Sequence, residues 1–210
     1  MYPYGIIKYN CKKKERKIYT KLYKKRPMKT VYAFLADGME EVEALMVIDL
    51  LRRTKQLNVV TVSIKEELMI ESSHGIRLFA DKNIDEIDFE QGDCIFLPGG
   101  MPGTTNLSQC KVLADEILKY NSEHKLLTAI CAAPSIYGQL GLLQDKKATC
   151  YPSFADKMDC KEYGGSVVKD DNFITANGLG AALELGLEII ATMLNEEEAE
   201  KVANAIQYIG

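Results

Sequence analysis

Along the chain, short uninterrupted apolar runs alternate with stretches of helical spacing. Val31-Tyr32-Ala33-Phe34-Leu35-Ala36 is one such run, ended by Asp37-Gly38, and it predicts a buried strand and its turn. Residues 41–54 place Val42, Leu45, Met46, Ile48 and Leu51 at helical spacing and close on Arg52 and Arg53, cations suited to a helix C-terminus. Residues 57–64 are rich in β-branched side chains and predict a second strand. Residues 68–79 read as a short hairpin excursion around Ser72-Ser73-His74-Gly75, and Cys94-Ile95-Phe96-Leu97 as a buried strand stopped by Pro98-Gly99-Gly100. A helix over about 107–121 leads to a strand at 126–130. Pro134 then opens a helix to about Leu140, at a position where its missing N–H needs no partner. Ala148-Thr149, Ser166-Val167-Val168 and Phe173-Ile174-Thr175 predict short strands. Residues 180–194 and 196–208 predict two closing helices, the first apolar almost all round and therefore buried.

Strands alternating with helices imply a mostly parallel sheet covered on both faces, an α/β domain. The 210 residues suffice for one such domain with a sizeable core, without internal repeats or low-complexity linkers. The net charge of −4 hides an asymmetry. Residues 1–27 carry ten Lys/Arg against Glu15 alone, which leaves sixteen bases against twenty-nine acids in residues 28–210. The acidic body does not invite nucleic acid, because the phosphate backbone rewards clustered cations. The basic extension could serve as a nucleic-acid or membrane-surface arm. The expectation is a solvated, poorly ordered tail, or upstream sequence read through to a start at Met28, since Met28-Lys29-Thr30 leads straight into the first strand. No apolar run approaches the ~18–20 residues needed to cross a bilayer. The six cysteines show no CxxC and no zinc-ligand spacing, and neither a signal-peptide core nor a cofactor or metal motif is evident. Free thiols in a reducing, cytoplasmic setting are expected.

Three segments carry chemistry. In Leu126-Leu127-Thr128-Ala129-Ile130-Cys131-Ala132-Ala133-Pro134-Ser135, an apolar strand turns directly into a Pro-started helix. That puts Cys131 at the carboxyl edge of the sheet, where open α/β folds bind ligands. A helix N-terminus there is expected to favour the thiolate. The rival reading of an isolated cysteine at a strand end is a buried small hydrophobe. In Leu97-Pro98-Gly99-Gly100-Met101-Pro102-Gly103, glycines after a buried strand let N–H groups face the crevice. The amide of Gly100, with that of Ala132, would form an oxyanion hole; an ordinary Gly/Pro turn is the alternative. In Asp37-Gly38-Met39-Glu40-Glu41-Val42-Glu43, the acids suit a helix start, which accounts for Glu40 and Glu41. Glu43 adjoins a solidly apolar stretch and is expected to point inward. Burial would keep it protonated and able to donate a hydrogen bond to a thiolate.

The words ADGMEEVEA, FLPGGMPG and AICAAP, in this order and spacing, resemble the ThiJ/PfpI superfamily, close to its branch of small parkinsonism-associated deglycase-like proteins. The likeness runs from about Met28 to the C-terminus. It implies a flavodoxin-like three-layer sandwich, a homodimer, and a nucleophilic, oxidation-prone cysteine at Cys131. Glu43 matches the buried glutamate that bonds that cysteine, and Gly100 and Ala132 match the backbone donors, beside Gly99. Asp49 and Arg53 match a helix pair near the dimer interface and the mouth of the site. Departures count as well. Many relatives place a histidine about twenty residues after the nucleophile, where Tyr151 stands here. Of the two histidines, His124 lies at the wrong end of the nucleophile's strand. His74 occupies a position often held by arginine near the dimer partner, and is expected to be a loop residue. A Gly-Pro-Gly turn of the family appears as Asn177-Gly178-Leu179-Gly180.

A Cys-His-Glu triad needs its histidine as base. Its absence argues against amidotransferase or protease activity and favours attack on an aldehyde, with Glu43 shuttling a proton at the adjacent carbon. The expected function is therefore a cysteine-dependent enzyme acting on reactive dicarbonyls or glycated protein adducts, glyoxalase III-like or deglycase-like, in stress protection. The alternative is a redox-sensing or chaperone-like stress protein built on an oxidisable thiolate. Among the other cysteines, Cys94 is expected in the core and Cys110 on a helix. Cys150 is expected near the pocket, with a disulfide to Cys131 left open.

Overall fold

The apolar run at 31–36 becomes β1 (Lys29–Leu35), buried along all but its first residue. It lies within a seven-stranded sheet in a computed structural model that describes residues 28–208. The basic extension, residues 1–27, lies outside the described residues. α1 (Glu41–Arg53) and β2 (Leu57–Ser63) follow, then the hairpin of β3 (Met69–Glu71) and β4 (Arg77–Phe79), and β5 (Lys82–Asn83). β6 (Cys94–Leu97), α2 (Gly103–Gln109), α3 (Lys111–Ser122), β7 (Leu126–Ile130) and α4 (Pro134–Gln139) form the middle of the chain. β8 (Lys147–Ala148) pairs with β9 (Glu162–Tyr163); β10 (Val167–Asp170), β11 (Phe173–Ala176), α5 (Ala182–Met193) and α6 (Glu196–Ala205) close it. The main sheet runs β10-β11-β7-β6-β1-β2-β5 and is parallel except for the β10–β11 pair.

Strand alternation divides the core in two. Val31, Ala33 and Leu35 face α1, α5 and α6, whereas Tyr32, Phe34 and Ala36 face α2, α3 and α4. The result is the flavodoxin-like three-layer sandwich expected. α1 and α5 approach closely because Gly186 offers no side chain to Leu50; a Cβ there would sit 2.5 Å from Leu50 Cδ1. No helix among the described residues is long and apolar enough to cross a membrane.

Four features differ from the sequence reading. The helix expected over 107–121 is two helices, broken at Cys110, whose extended backbone ends one and precedes the other. Residues 179–181 form a 3-10 turn before α5 rather than its first turn. The two-residue strands β5 and β9 carry no pattern long enough to read. The fourth difference positions the site. α1 buries Glu43, Ala44, Val47, Ile48, Leu50 and Leu51, and turns Val42 and Leu45 outward. Two members of its apolar series thus face solvent, while Glu43 faces in as expected, with Glu41 buried near it.

Candidate active site

β7 delivers Cys131 to the carboxyl edge of the sheet, and the backbone reverses there. Cys131 has φ +63°, a left-handed conformation that costs a non-glycine residue about 1 kcal/mol or more. Backbone bonds hold it: its N–H donates to the Ala176 carbonyl (2.8 Å) and its carbonyl accepts from the Tyr151 N–H (2.7 Å). The chain then winds into α4, with the Ser135 Oγ and N–H both donating to the Ala132 carbonyl. The elbow is thus pinned by the end of β11 on one side and by the Tyr151 loop on the other.

The Gly-Gly loop after β6 is fastened to the start of α1 from both directions. Glu40 N–H donates to the Gly99 carbonyl (2.9 Å), and Gly99 N–H donates to Glu43 Oε2 (3.1 Å). Glu40 also caps α1, its Oε2 accepting from the Glu43 N–H at 2.6 Å. Gly99 must be glycine in this arrangement. A Cβ there would lie 2.6 Å from both Cys131 Cβ and Glu43 Oε2, and 2.9 Å from the Ile130 carbonyl. Gly100 has φ +89° and packs against the Met39–Glu40 backbone, so it too excludes a side chain.

Glu43 is 1% exposed. Burial pushes its carboxyl up to about 7, assisted by the charge of Glu40 and opposed by hydrogen bonds from Cys131, Gly99 and Leu179. Burial also pushes the Cys131 thiol up, to about 12, with the ionised Glu43 beside it contributing further; the Ala132 and Gly100 amides pull the other way. This corrects the expectation of a thiol depressed by a helix N-terminus. α4 has only six residues, and burial with the Glu43 charge outweighs its pull. At neutral pH the Cys131 thiol therefore keeps its proton, and Glu43, raised to about 7, is poised to accept or release one. Transfer of the thiol proton to ionised Glu43 gives a thiolate beside an acid, with two amides facing the sulfur.

Cys131, Glu43, Gly99, Gly100 and Ala132 thus converge as the sequence suggested. Tyr151 is half exposed; its backbone holds Cys131, and its ring lies toward Gly178, where a Cβ would be 3.6 Å from Tyr151 Cδ2. Asp49 and Arg53 are not brought to the thiol. They pair with each other at 2.6 Å on the exposed side of α1. His74 turns toward the start of α1, with Nδ1 2.9 Å from Glu41 Oε1. His124 lies 3.7 Å from Asp171, remote from the site as expected. Cys150 is a free, buried thiol packed in the core on the α2–α4 face, whereas Cys131 packs against the core on the α1–α5 face. Sequence reasoning missed Ala176, the anchor of the elbow, and the Leu179 amide that reaches Glu43; neither residue type carries a signal, because the backbone alone acts.

Three comparisons bear on this arrangement. The model of the DJ-1/PfpI family matches residues 29–192. Protein DJ-1 homolog B of Arabidopsis thaliana is 35% identical over 181 residues, which cover 85% of this chain but 41% of the relative, so the chain spans about two fifths of that protein's length. A Caenorhabditis elegans relative named glutathione-independent glyoxalase DJR-1.2 is 29% identical over 169 residues, covering 79% of this chain and 89% of that protein. The structure of oxidized Toxoplasma gondii DJ-1 superposes with a TM-score of 0.83 at 34% identity, covering 87% of this chain and all of that one.

Proposed function

The chain belongs to the DJ-1/PfpI family, and on that premise we propose that it is a cysteine-dependent enzyme converting reactive dicarbonyls such as methylglyoxal to hydroxy acids. The observation that carries this reading is the hydrogen bond between the Cys131 thiol and the buried Glu43 carboxyl, in a site whose amides at Gly100 and Ala132 face the sulfur. A glyoxalase-named relative in the same family supports it.

Ionised Glu43 takes the proton of the Cys131 thiol as Sγ adds to the aldehyde carbon and a C–S bond forms. The carbonyl electrons become an alkoxide, which the two amides are placed to hold and which takes the proton from Glu43. The product of this step is a hemithioacetal. Glu43, now ionised, removes the hydrogen from that carbon, and a proton is returned to the neighbouring oxygen to give an enediol. Ketonisation of the enediol protonates the second carbon and leaves a thioester. Water cleaves the thioester, releasing the hydroxy acid and Sγ. The sum is one dicarbonyl and one water giving one hydroxy acid, with no external oxidant. At the carbinol carbon of a glycated amine or thiol, Sγ displaces the amine or thiol, which leaves with the proton from Glu43; the same hemithioacetal results and the enzyme would be a deglycase.

Methylglyoxal turnover in the wild type, Cys131→Ser and Glu43→Gln tests the reading. Both variants are expected to fall to background. Equal rates in Cys131→Ser would remove the cysteine from the mechanism.

A second reading rests on the same sulfur: oxidation by peroxide to sulfenic and then sulfinic acid, each step reducing one peroxide to water, with protonated Glu43 bonding the product. Selective oxidation of Cys131 in mass spectra after mild peroxide supports it; even oxidation of all the cysteines refutes it. The free thiols suit a reducing compartment such as the cytoplasm. Pairing of two copies through the outward Val42 and Leu45 of α1 accounts for those exposed apolar side chains, and sedimentation measures it.

A further inference from the structure

The β3–β4 hairpin is stitched to the start of α1 by backbone bonds, Ser73 N–H to the Met39 carbonyl and Gly38 N–H to the Glu71 carbonyl, each 2.8 Å. This brings His74 over two carboxylates that lie 33–34 residues earlier. Glu40 Oε2 is committed to capping α1, which leaves Oε1 turned toward the imidazole, 3.9 Å from His74 Nδ1. Glu41 Oε1 stands 2.9 Å from the same nitrogen. All three ligand atoms lie within 4.8 Å of one another, and this is the one such group of three among the described residues. The side chain of Glu41 is 8% exposed and that of Glu40 14%, whereas that of His74 is 68% exposed. Glu41 Oε2 accepts from Ser73 Oγ at 3.4 Å and Glu40 Oε2 from the Glu43 N–H, so the remaining oxygen of each carboxylate converges on one imidazole nitrogen.

We propose that Glu40, Glu41 and His74 bind a divalent transition-metal cation of the Zn²⁺ class, with water completing the shell on the solvent side of His74. One nitrogen and two carboxylate donors suit Zn²⁺ or Co²⁺; Mg²⁺ and Ca²⁺ prefer all-oxygen shells. The spacing suits it too. Tetrahedral ligands at about 2.0–2.2 Å from zinc stand roughly 3.3–3.6 Å apart, and the observed 2.9 and 3.9 Å separations straddle that value. Binding replaces the contact of Nδ1 with Glu41, the Nδ1 proton leaving to solvent or residing on Nε2. The sequence gives no sign of this site, because its ligands lack the close spacing by which metal motifs are read. The site is distinct from the Cys131–Glu43 pair but adjoins it, since Glu40 N–H bonds the Gly99 carbonyl.

The test uses the full chain, stripped with a chelator and titrated with ZnCl₂ by calorimetry and with CoCl₂ by visible absorption, in wild type and in Cys131→Ser, His74→Ala and Glu41→Gln. Wild type and Cys131→Ser are expected to bind one equivalent, with cobalt d–d bands and no thiolate charge-transfer band. His74→Ala and Glu41→Gln should bind about tenfold or more weakly, the scale reached when even an outer partner of a metal ligand is lost. Absence of binding, loss of binding in Cys131→Ser, or unchanged affinity in His74→Ala each overturns the proposal. His74 lies on the surface, so that variant is expected to keep the wild-type fold, checked by circular dichroism. None of these readouts depends on turnover.

Discussion

Gly99→Ala inserts a methyl group at the point where Cys131, Glu43 and the end of β7 meet. The added carbon would lie 2.6 Å from Cys131 Cβ, 2.6 Å from Glu43 Oε2 and 2.9 Å from the Ile130 carbonyl, against about 3.4 Å for ordinary contact. Relieving those overlaps means moving buried groups apart by roughly 0.5–0.8 Å. Overpacking of this kind costs about 1–3 kcal/mol, or roughly 2–12 °C in Tm for a chain of this size. The functional effect is expected to be larger. A displacement approaching 1 Å in a catalytic pair costs on the order of 10²-fold in rate, and the Gly99 N–H to Glu43 bond is strained as well. The assays are methylglyoxal turnover, the rate of Cys131 alkylation by iodoacetamide, and thermal unfolding. Gly180→Ala is the control, since no atom lies within 4 Å of a Cβ built there. Gly99→Ala with wild-type alkylation and turnover, and a Tm unchanged from the wild type, would refute the packing argument outright.

Two further outcomes follow from particular groups. Glu43 has its carboxyl raised from 4.5 to about 7 by burial, so its contribution to stability is fully present below the unfolded value and is lost as pH rises through the folded one. Relative to Glu43→Gln, the wild type should lose about 3 kcal/mol between pH 4.5 and 7, measured by urea unfolding across that range; parallel pH curves for the two proteins would contradict the assigned direction. Tyr137 is fully buried and its hydroxyl donates to the Thr128 carbonyl at 3.0 Å. Tyr137→Phe should cost about 1–2 kcal/mol while leaving turnover intact, read from Tm and from kcat/KM.

Much of this architecture could be read from the chain because its information is local. The apolar runs at 31–36, 94–97 and 126–130 are buried strands on both faces, and Asp37-Gly38 and Pro98-Gly99-Gly100 stop them where turns occur. The five central site residues were legible for the same reason: each sits where a strand ends or a helix begins. What escaped reading depends on partners distant in sequence. The spacing of Val42 and Leu45 suggests an apolar seam, yet packing on α5 selects the neighbouring face and leaves both exposed. Cys110 breaks a helix without Gly or Pro to announce it. The acidity of Cys131 is not legible locally, because burial and the Glu43 charge are tertiary quantities, whereas a helix start shows in the sequence. His74 is the loop residue the sequence suggests, and only its contact with Glu41, made by the hairpin's backbone bonds to the start of α1, is illegible.

The bonds that hold the elbow at Cys131 have a consequence for how such a scaffold changes over time. Its N–H and carbonyl are engaged by Ala176 and Tyr151 through main-chain atoms alone, and the Gly99 carbonyl is engaged by Glu40 in the same way. The half-exposed side chain at 151 is therefore free to vary without loosening the reactive geometry, whereas Ala176 is held to a small residue by the core around it. Tyr151 in the place of a histidine is one such exchange, and the wall at 177–180 is another region open to it. Selection can reshape the rim, and with it the choice of substrate, while the reactive centre keeps its form. Adaptability of this kind arises because main-chain bonds, rather than side chains, fix the nucleophile.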